Sequence, residues 1–237
     1  MSDIFNTPAS EFAQHISHLY HGPFVTIKLK PSDAEYTVSK PLLCKKSSYF
    51  EKMFEGEFIE GQTQTVEMQE IEGIVSEQSF VALLQWLYHR RVEFGTDDEP
   101  DEEITAAIEL ARLADMCNVK ELETEMAEYI KKVLIKNPEP DGWKDINTYH
   151  LTEEHIRSAH YLPPGHSVRY IIATASVEGF LKDDGYKFAD MAQECPTFGA
   201  DLLLQVRLAL NSVDYDDRPM VKDPLTGKEF RINTYTG

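Results

Sequence analysis

Val25, Ile27 and Leu29 alternate with Thr26, Lys28 and Lys30, the two-residue period of a half-buried strand. The turn residues Pro31-Ser32-Asp33 follow, and Tyr36 and Val38 then alternate with Glu35 and Thr37, so a hairpin is predicted. Val66 and Met68 repeat the alternation as a third strand, and Val92 to Phe94 offers a short fourth. Between these pieces the period changes. Leu42 and Leu43 mark one short helix. Ser47 is placed to cap another, in which Tyr49, Phe50, Met53 and Phe54 gather on one side. Gly56 and Gly61 bracket a loop. Phe80, Leu83, Leu84 and Leu87 fall at i, i+3, i+4 and i+7, an amphipathic helix carrying Trp86 and Tyr88.

Ahead of the strands, Phe12, Ile16, Leu19 and Tyr20 have helical spacing from Ser10 to Tyr20, ended by Gly22-Pro23. Behind them, residues 96–103 read as an acidic loop whose last carboxylates suit the start of the next helix. Ile104, Ala107, Ile108 and Ala111 mark that helix, and Val119, Leu122, Met126, Tyr129, Ile130 and Val133 its successor, joined as a hairpin near Cys117 and Asn118. Residues 137–142 break the pattern and form the expected boundary. Helices are expected at 153–161, 167–181 and 199–213. In the last, Leu202, Leu203, Val206 and Leu210 are expected to be buried. The polar tail from Asp214 carries a turn at 223–227 between two extended pieces. The result is an α+β chain with an N-terminal helix (1–22), a domain over 23–136 and a mainly helical extension with a polar tail (137–237).

Composition narrows the function. The 237 residues are 42% hydrophobic, enough for a packed core, and carry a net charge of −18. Such acidity opposes capture of nucleic acid or an anionic membrane, both of which need clustered lysine and arginine. Three separated cysteines and the absence of a basic-then-apolar leader fit a reduced, cytoplasmic or nuclear protein. No stretch is apolar for the length a bilayer requires.

Candidate chemistry is sparse. Glu11, His15, His18 and His21 lie near one another in sequence, but a structural zinc needs four ligands, usually with cysteine; they read as solvated or interfacial side chains. Lys45 and Lys46 beside Cys44 would lower a thiol pKa, against which stands a buried Cys44 packing beside Leu42 and Leu43. No phosphate-binding glycine loop, nucleophile elbow or metalloprotease helix is present. No enzyme activity, cofactor or metal is expected.

The segment from Phe24 to Phe94 resembles the BTB/POZ family. The matching residues run in order through Val25-Thr26-Ile27, Tyr36 to Leu43, Ser47-Ser48-Tyr49-Phe50, Met53-Phe54, Phe58-Ile59-Glu60, the strand at Val66, and Phe80 to Leu84 with Trp86, Leu87 and Tyr88. The helices to Lys136 continue the resemblance, which is closest to the fungal kind without zinc fingers or kelch repeats. It implies a small sheet flanked by helices, used as a protein-docking adaptor. Family members recruit cullin-type ubiquitin ligase scaffolds, form homodimers or hetero-BTB dimers, or do both. The cullin-binding kind carries a hydrophobic residue, any residue, then Glu before the third strand; Phe58, Ile59 and Glu60 match. Many dimeric members have Asp and His where this chain has Phe24 and Ser39. The N-terminal residues Phe12, Ile16, Leu19 and Tyr20 either pack across a two-fold axis or fold back on their own domain. The expected function is thus a substrate-recruiting ligase adaptor or, alternatively, a self-assembling scaffold or transcriptional co-regulator.

Overall fold

A computed structural model describes residues 17–95, 99–139, 148–182, 186–211, 213 and 220–232. It divides into two compact units, residues 1–93 with 113–120, and residues 94–112 with 121–237. Of the expected N-terminal helix, Ser17–Tyr20 forms a 3-10 turn; Glu11, Phe12, His15 and Ile16 lie outside the described residues. Residues 96–98, 140–142 and the start of the polar tail lie outside them as well.

The first unit holds a three-stranded mixed sheet. Strand β1 (Phe24–Lys30) pairs antiparallel with β2 (Glu35–Ser39), setting Val25 opposite Val38 and Ile27 opposite Tyr36. On its other side β1 pairs parallel with β3 (Thr65–Gln69), setting Ile27 opposite Val66. The alternation works as read: Val25, Ile27 and Leu29 are at most 1% exposed, and the residues between them are half-buried. Helix α1 (Lys40–Lys46) follows β2 without a gap, because the Ser39 hydroxyl caps it and Pro41 suits its first turn. Helix α2 (Ser48–Glu55) is capped by Ser47, whose Oγ accepts the Phe50 N–H at 3.2 Å. Phe50 and Phe54 are fully buried, with ring centres 6.2 Å apart. Leu42, Leu43 and Cys44 of α1 are buried, as are Phe80, Leu83, Trp86 and Leu87 of α4 (Glu77–His89).

Two readings of this region need correction. The tract between the glycines is not all loop: Ile59–Thr63 forms a short helix, α3, entered through Phe58. Val92 to Phe94 is not a strand. Arg90 ends α4 in the left-handed conformation, and the Glu93 N–H donates to Gln85 Oε1 at 2.8 Å, a side-chain acceptor in place of a neighbouring strand.

Helix α5 starts earlier than the acidic loop suggested. It spans Pro100–Met116, with Asp101, Glu102 and Glu103 in its first turn, where carboxylates favour the helix dipole. A tight turn with Asn118 at φ 54° leads to α6 (Glu121–Lys136).

The second unit is built around α8 (Ser167–Lys182), which packs against α6, α7 (Glu153–His160) and α10 (Pro196–Leu210). Every residue of α8 from Val168 to Gly179 except Tyr170 is buried. A six-residue helix, α9 (Ala189–Glu194), was not foreseen. Helix α10 begins at Pro196 rather than 199, and Leu203 and Leu210 face outward while Leu202 and Val206 are buried. The expected extended pieces pair as β4 (Met220–Lys222) and β5 (Glu229–Arg231). The buried Asp223 closes their turn by accepting the Thr226 N–H at 2.8 Å, and Gly227 takes φ 72°.

Candidate protein-docking site

The corner between α2 and α3 is built on two glycines. A Cβ on Gly56 would lie 2.3 Å from the Lys52 carbonyl oxygen, and one on Gly61 would lie 2.5 Å from the Gly56 carbonyl oxygen. Neither position tolerates a side chain, so α3 sits directly on the end of α2. Further bonds fix the corner. The Gln64 N–H donates to Glu60 O at 2.8 Å, Gln64 takes φ 52°, and its side-chain amide reaches the Phe54 and Gly61 carbonyls. Lys40 Nζ donates to the same Phe54 carbonyl at 2.9 Å.

This bracing turns the motif outward. Phe58 is 63% exposed and Ile59 66%, while Glu60 is half-buried in the first turn of α3. Phe58 therefore does not cover the core; Phe50 and Phe54 already fill that side of α2. Beside Phe58 lies an open groove of about 480 Å³. Tyr49 and Met53 of α2 form one wall, Phe58 and Glu60 at the start of α3 another, and Met116 and Asn118 a third, with Ser48 and Lys52 also lining it.

The third wall is held by serine hydroxyls. Ser47 Oγ caps α2 and also donates to the Cys117 carbonyl at 2.6 Å, and the Asn118 side-chain amide donates to Ser48 Oγ. Burial pushes the Tyr49 hydroxyl pKa upward, and the neighbouring Cys117 and Glu60 push in the same direction, so the Glu60 carboxylate is felt within the groove. Lys52 and Glu60 form no ion pair among the described residues. The groove thus combines apolar and aromatic walls with two opposite charges that form no ion pair among the described residues. Such a surface suits a partner side chain better than a reaction.

The sequence singles out Phe58, Ile59 and Glu60; the structure sets Tyr49, Met53, Met116 and Asn118 along the same groove as Phe58 and Glu60. No local signal sets Tyr49 and Met53 apart, because with Phe50 and Phe54 they read as one apolar side of α2.

Of the residues assigned to self-association, Leu19 is buried, its carbonyl accepting the Ser39 hydroxyl. Tyr20 is half-buried, its ring centre 6.0 Å from that of Tyr88. Phe12 and Ile16 lie outside the described residues. Phe24, opposite Ser39, is 52% exposed. Cys44 resolves toward burial: desolvation, followed by Glu55, outweighs Lys40 and raises its pKa to about 11. Cys117 rises to about 12 by burial. Among the described residues no cluster of histidines, cysteines and carboxylates could hold a metal, and no helix is long and apolar enough to cross a membrane.

Residues 17–134 match the family model of the BTB/POZ domain. The chain is a BTB/POZ-domain protein. No curated protein matches it. The BTB/POZ domain is a protein-interaction module, and its α+β fold is the one described above: a small mixed sheet with a helical cluster. Within this BTB/POZ protein, the corner at Phe58 offers exposed apolar surface on a braced backbone.

Proposed function

We propose that this BTB/POZ protein is a non-catalytic adaptor, cytoplasmic or nuclear, that recruits a target to a cullin-type ubiquitin ligase. Phe58, Ile59, Glu60 and the adjoining groove form the scaffold-docking surface. One observation carries the reading: two neighbouring apolar side chains stand more than three-fifths exposed on a corner locked by Gly56 and Gly61. An exposed aromatic on a pre-set backbone binds without an ordering cost, as interface hot spots do. The adaptor needs no cofactor, and its target would be held elsewhere, residues 137–237 being the natural place.

The test is binding of the full chain to cullin N-terminal domains, beside a Phe58→Ala/Glu60→Ala variant. Loss of a hot spot corresponds to about 2 kcal/mol, or roughly thirtyfold in affinity, with no change in thermal stability. Absence of binding by the unaltered chain removes the ligase reading.

The exposed Phe24 supports a second reading, a self-assembling scaffold or co-regulator in which Phe24 joins Phe12, Ile16 and Tyr20 at a two-fold interface with itself or another BTB chain, the buried Leu19 staying within its own domain. Sedimentation showing only the 27.1 kDa species at micromolar concentration would end it.

A further inference from the structure

We infer that the groove beside Phe58 accepts a partner segment with one bulky apolar anchor, flanked by a carboxylate on one side and a basic side chain on the other. This rests on the reading of the groove as a docking site and adds the chemistry of its occupant.

The apolar part follows from the walls. Met53 and Met116, with Tyr49 and Phe58, surround about 480 Å³, space for a large aliphatic or aromatic side chain. Thioethers adapt to the shape of what enters and make favourable contacts with rings, so the pocket selects for bulk more than for outline.

The charged part follows from Lys52 and Glu60. They line the groove from different helices and form no ion pair with each other or with any other described residue. A partner supplying an acid near Lys52 and a base near Glu60 would satisfy both. The chain as a whole carries −18, so any basic peptide is attracted to it without using the groove. Preference for an acid beside the anchor runs against that background, and it is therefore the diagnostic half of the signature.

The experiment is selection of a displayed random-peptide library on the full chain at physiological ionic strength, followed by affinities of the recovered consensus peptide. Recovered sequences should share a Leu, Ile, Met or Phe anchor between an acidic and a basic residue. Binding of the consensus should fall at least tenfold in Phe58→Ala. Lys52→Glu should weaken it about fivefold, the size of an exposed ion pair, and replacing the peptide's acid by lysine should restore it. Recovery of uniformly basic peptides, indifference to Phe58→Ala and Lys52→Glu, or recovery of no peptide would each overturn the inference. Peptides that obey the signature while cullin domains fail to bind would remove the ligase reading and leave this one standing. Cullin binding that needs Phe58 but ignores Lys52, with peptides that ignore the groove, would do the reverse.

Discussion

Helix α2 in the first unit and helix α8 in the second use apolar residues in opposite ways. In its eight residues α2 turns Phe50 and Phe54 into the core and sets Tyr49 and Met53 along an open groove. Over most of its sixteen residues α8 is buried, and even its polar groups are satisfied inside the unit. Thr174 Oγ1 donates to the Tyr170 carbonyl at 2.7 Å, Ser176 Oγ to the Ile172 carbonyl at 2.8 Å, and Arg169 to three partners. One helix leaves surface for something else to cover; the other has all it needs within its own unit. Docking chemistry should therefore break at the first without loss of fold, and folding should break at the second.

Arg169 gives the largest expected effect. Its guanidinium is 6% exposed, holds Asp201 Oδ2 at 2.7 and 2.9 Å, and donates to the Leu162 and Thr197 carbonyls. Removing the buried arginine takes its partner from Asp201, which is 28% exposed, and the donor from two carbonyls. Arg169→Ala should cost about 3–5 kcal/mol in chemical denaturation. A loss under 1 kcal/mol would show that the second unit does not depend on this network.

Two phenylalanines eight positions apart sharpen the contrast. Phe50 is fully buried, so Phe50→Ala should cost about 3–5 kcal/mol of stability. Phe58 is 63% exposed, so Phe58→Ala should change stability by less than about 0.5 kcal/mol. Parallel melts of the two variants decide whether Phe58 is free for docking; a large loss at Phe58 would make it a core residue after all.

Ser47 couples both roles. Ser47→Ala removes the cap of α2 and the bond to the Cys117 carbonyl that holds the third wall of the groove. Stability should fall by about 1–2 kcal/mol. Amide exchange should rise at Ser48 to Phe50 and around Asn118 together, whereas a rise confined to α2 would separate cap from groove wall.

The sequence was informative wherever one face differed from the other. Val25, Ile27 and Leu29 announced a strand because their neighbours were polar, and Phe58-Ile59-Glu60 stood out by family resemblance. The parallel pairing of β3 with β1 left no local trace, since register across a crossover is set by tertiary packing. Helix α3 was hidden by Gly61, which reads as a helix breaker until the Gly56 carbonyl oxygen, 2.5 Å from where a Cβ would stand, explains why nothing else fits. In α10 apolar residues lie all round, so periodicity had no means of telling the buried Leu202 from the exposed Leu203.

A pH-dependent effect lies at His155, buried at the start of α7. Its Nδ1 accepts the Thr152 N–H at 3.1 Å, and its Nε2 lies 3.0 Å from the Asp101 carbonyl and 2.9 Å from Thr105 Oγ1. These contacts assign a neutral ring with its proton on Nε2, donated to the Asp101 carbonyl. A second proton would land on Nδ1, facing the Thr152 N–H. Burial holds the pKa below the usual 6.5, with Asp101 offsetting part of the shift. The unfolded chain therefore takes up this proton before the folded one does. Stability from His155 is complete above about pH 6.5 and declines as pH falls below it. Glu123 acts in a lower window: burial raises its pKa, but hydrogen bonds from the Ser167 N–H and O–H outweigh burial and set it below 4.5. A His155→Gln variant should be less stable at neutral pH yet lose less than the unaltered protein between pH 7 and 5. Equal slopes in paired denaturation series would show that His155 does not carry the neutral-to-acid loss.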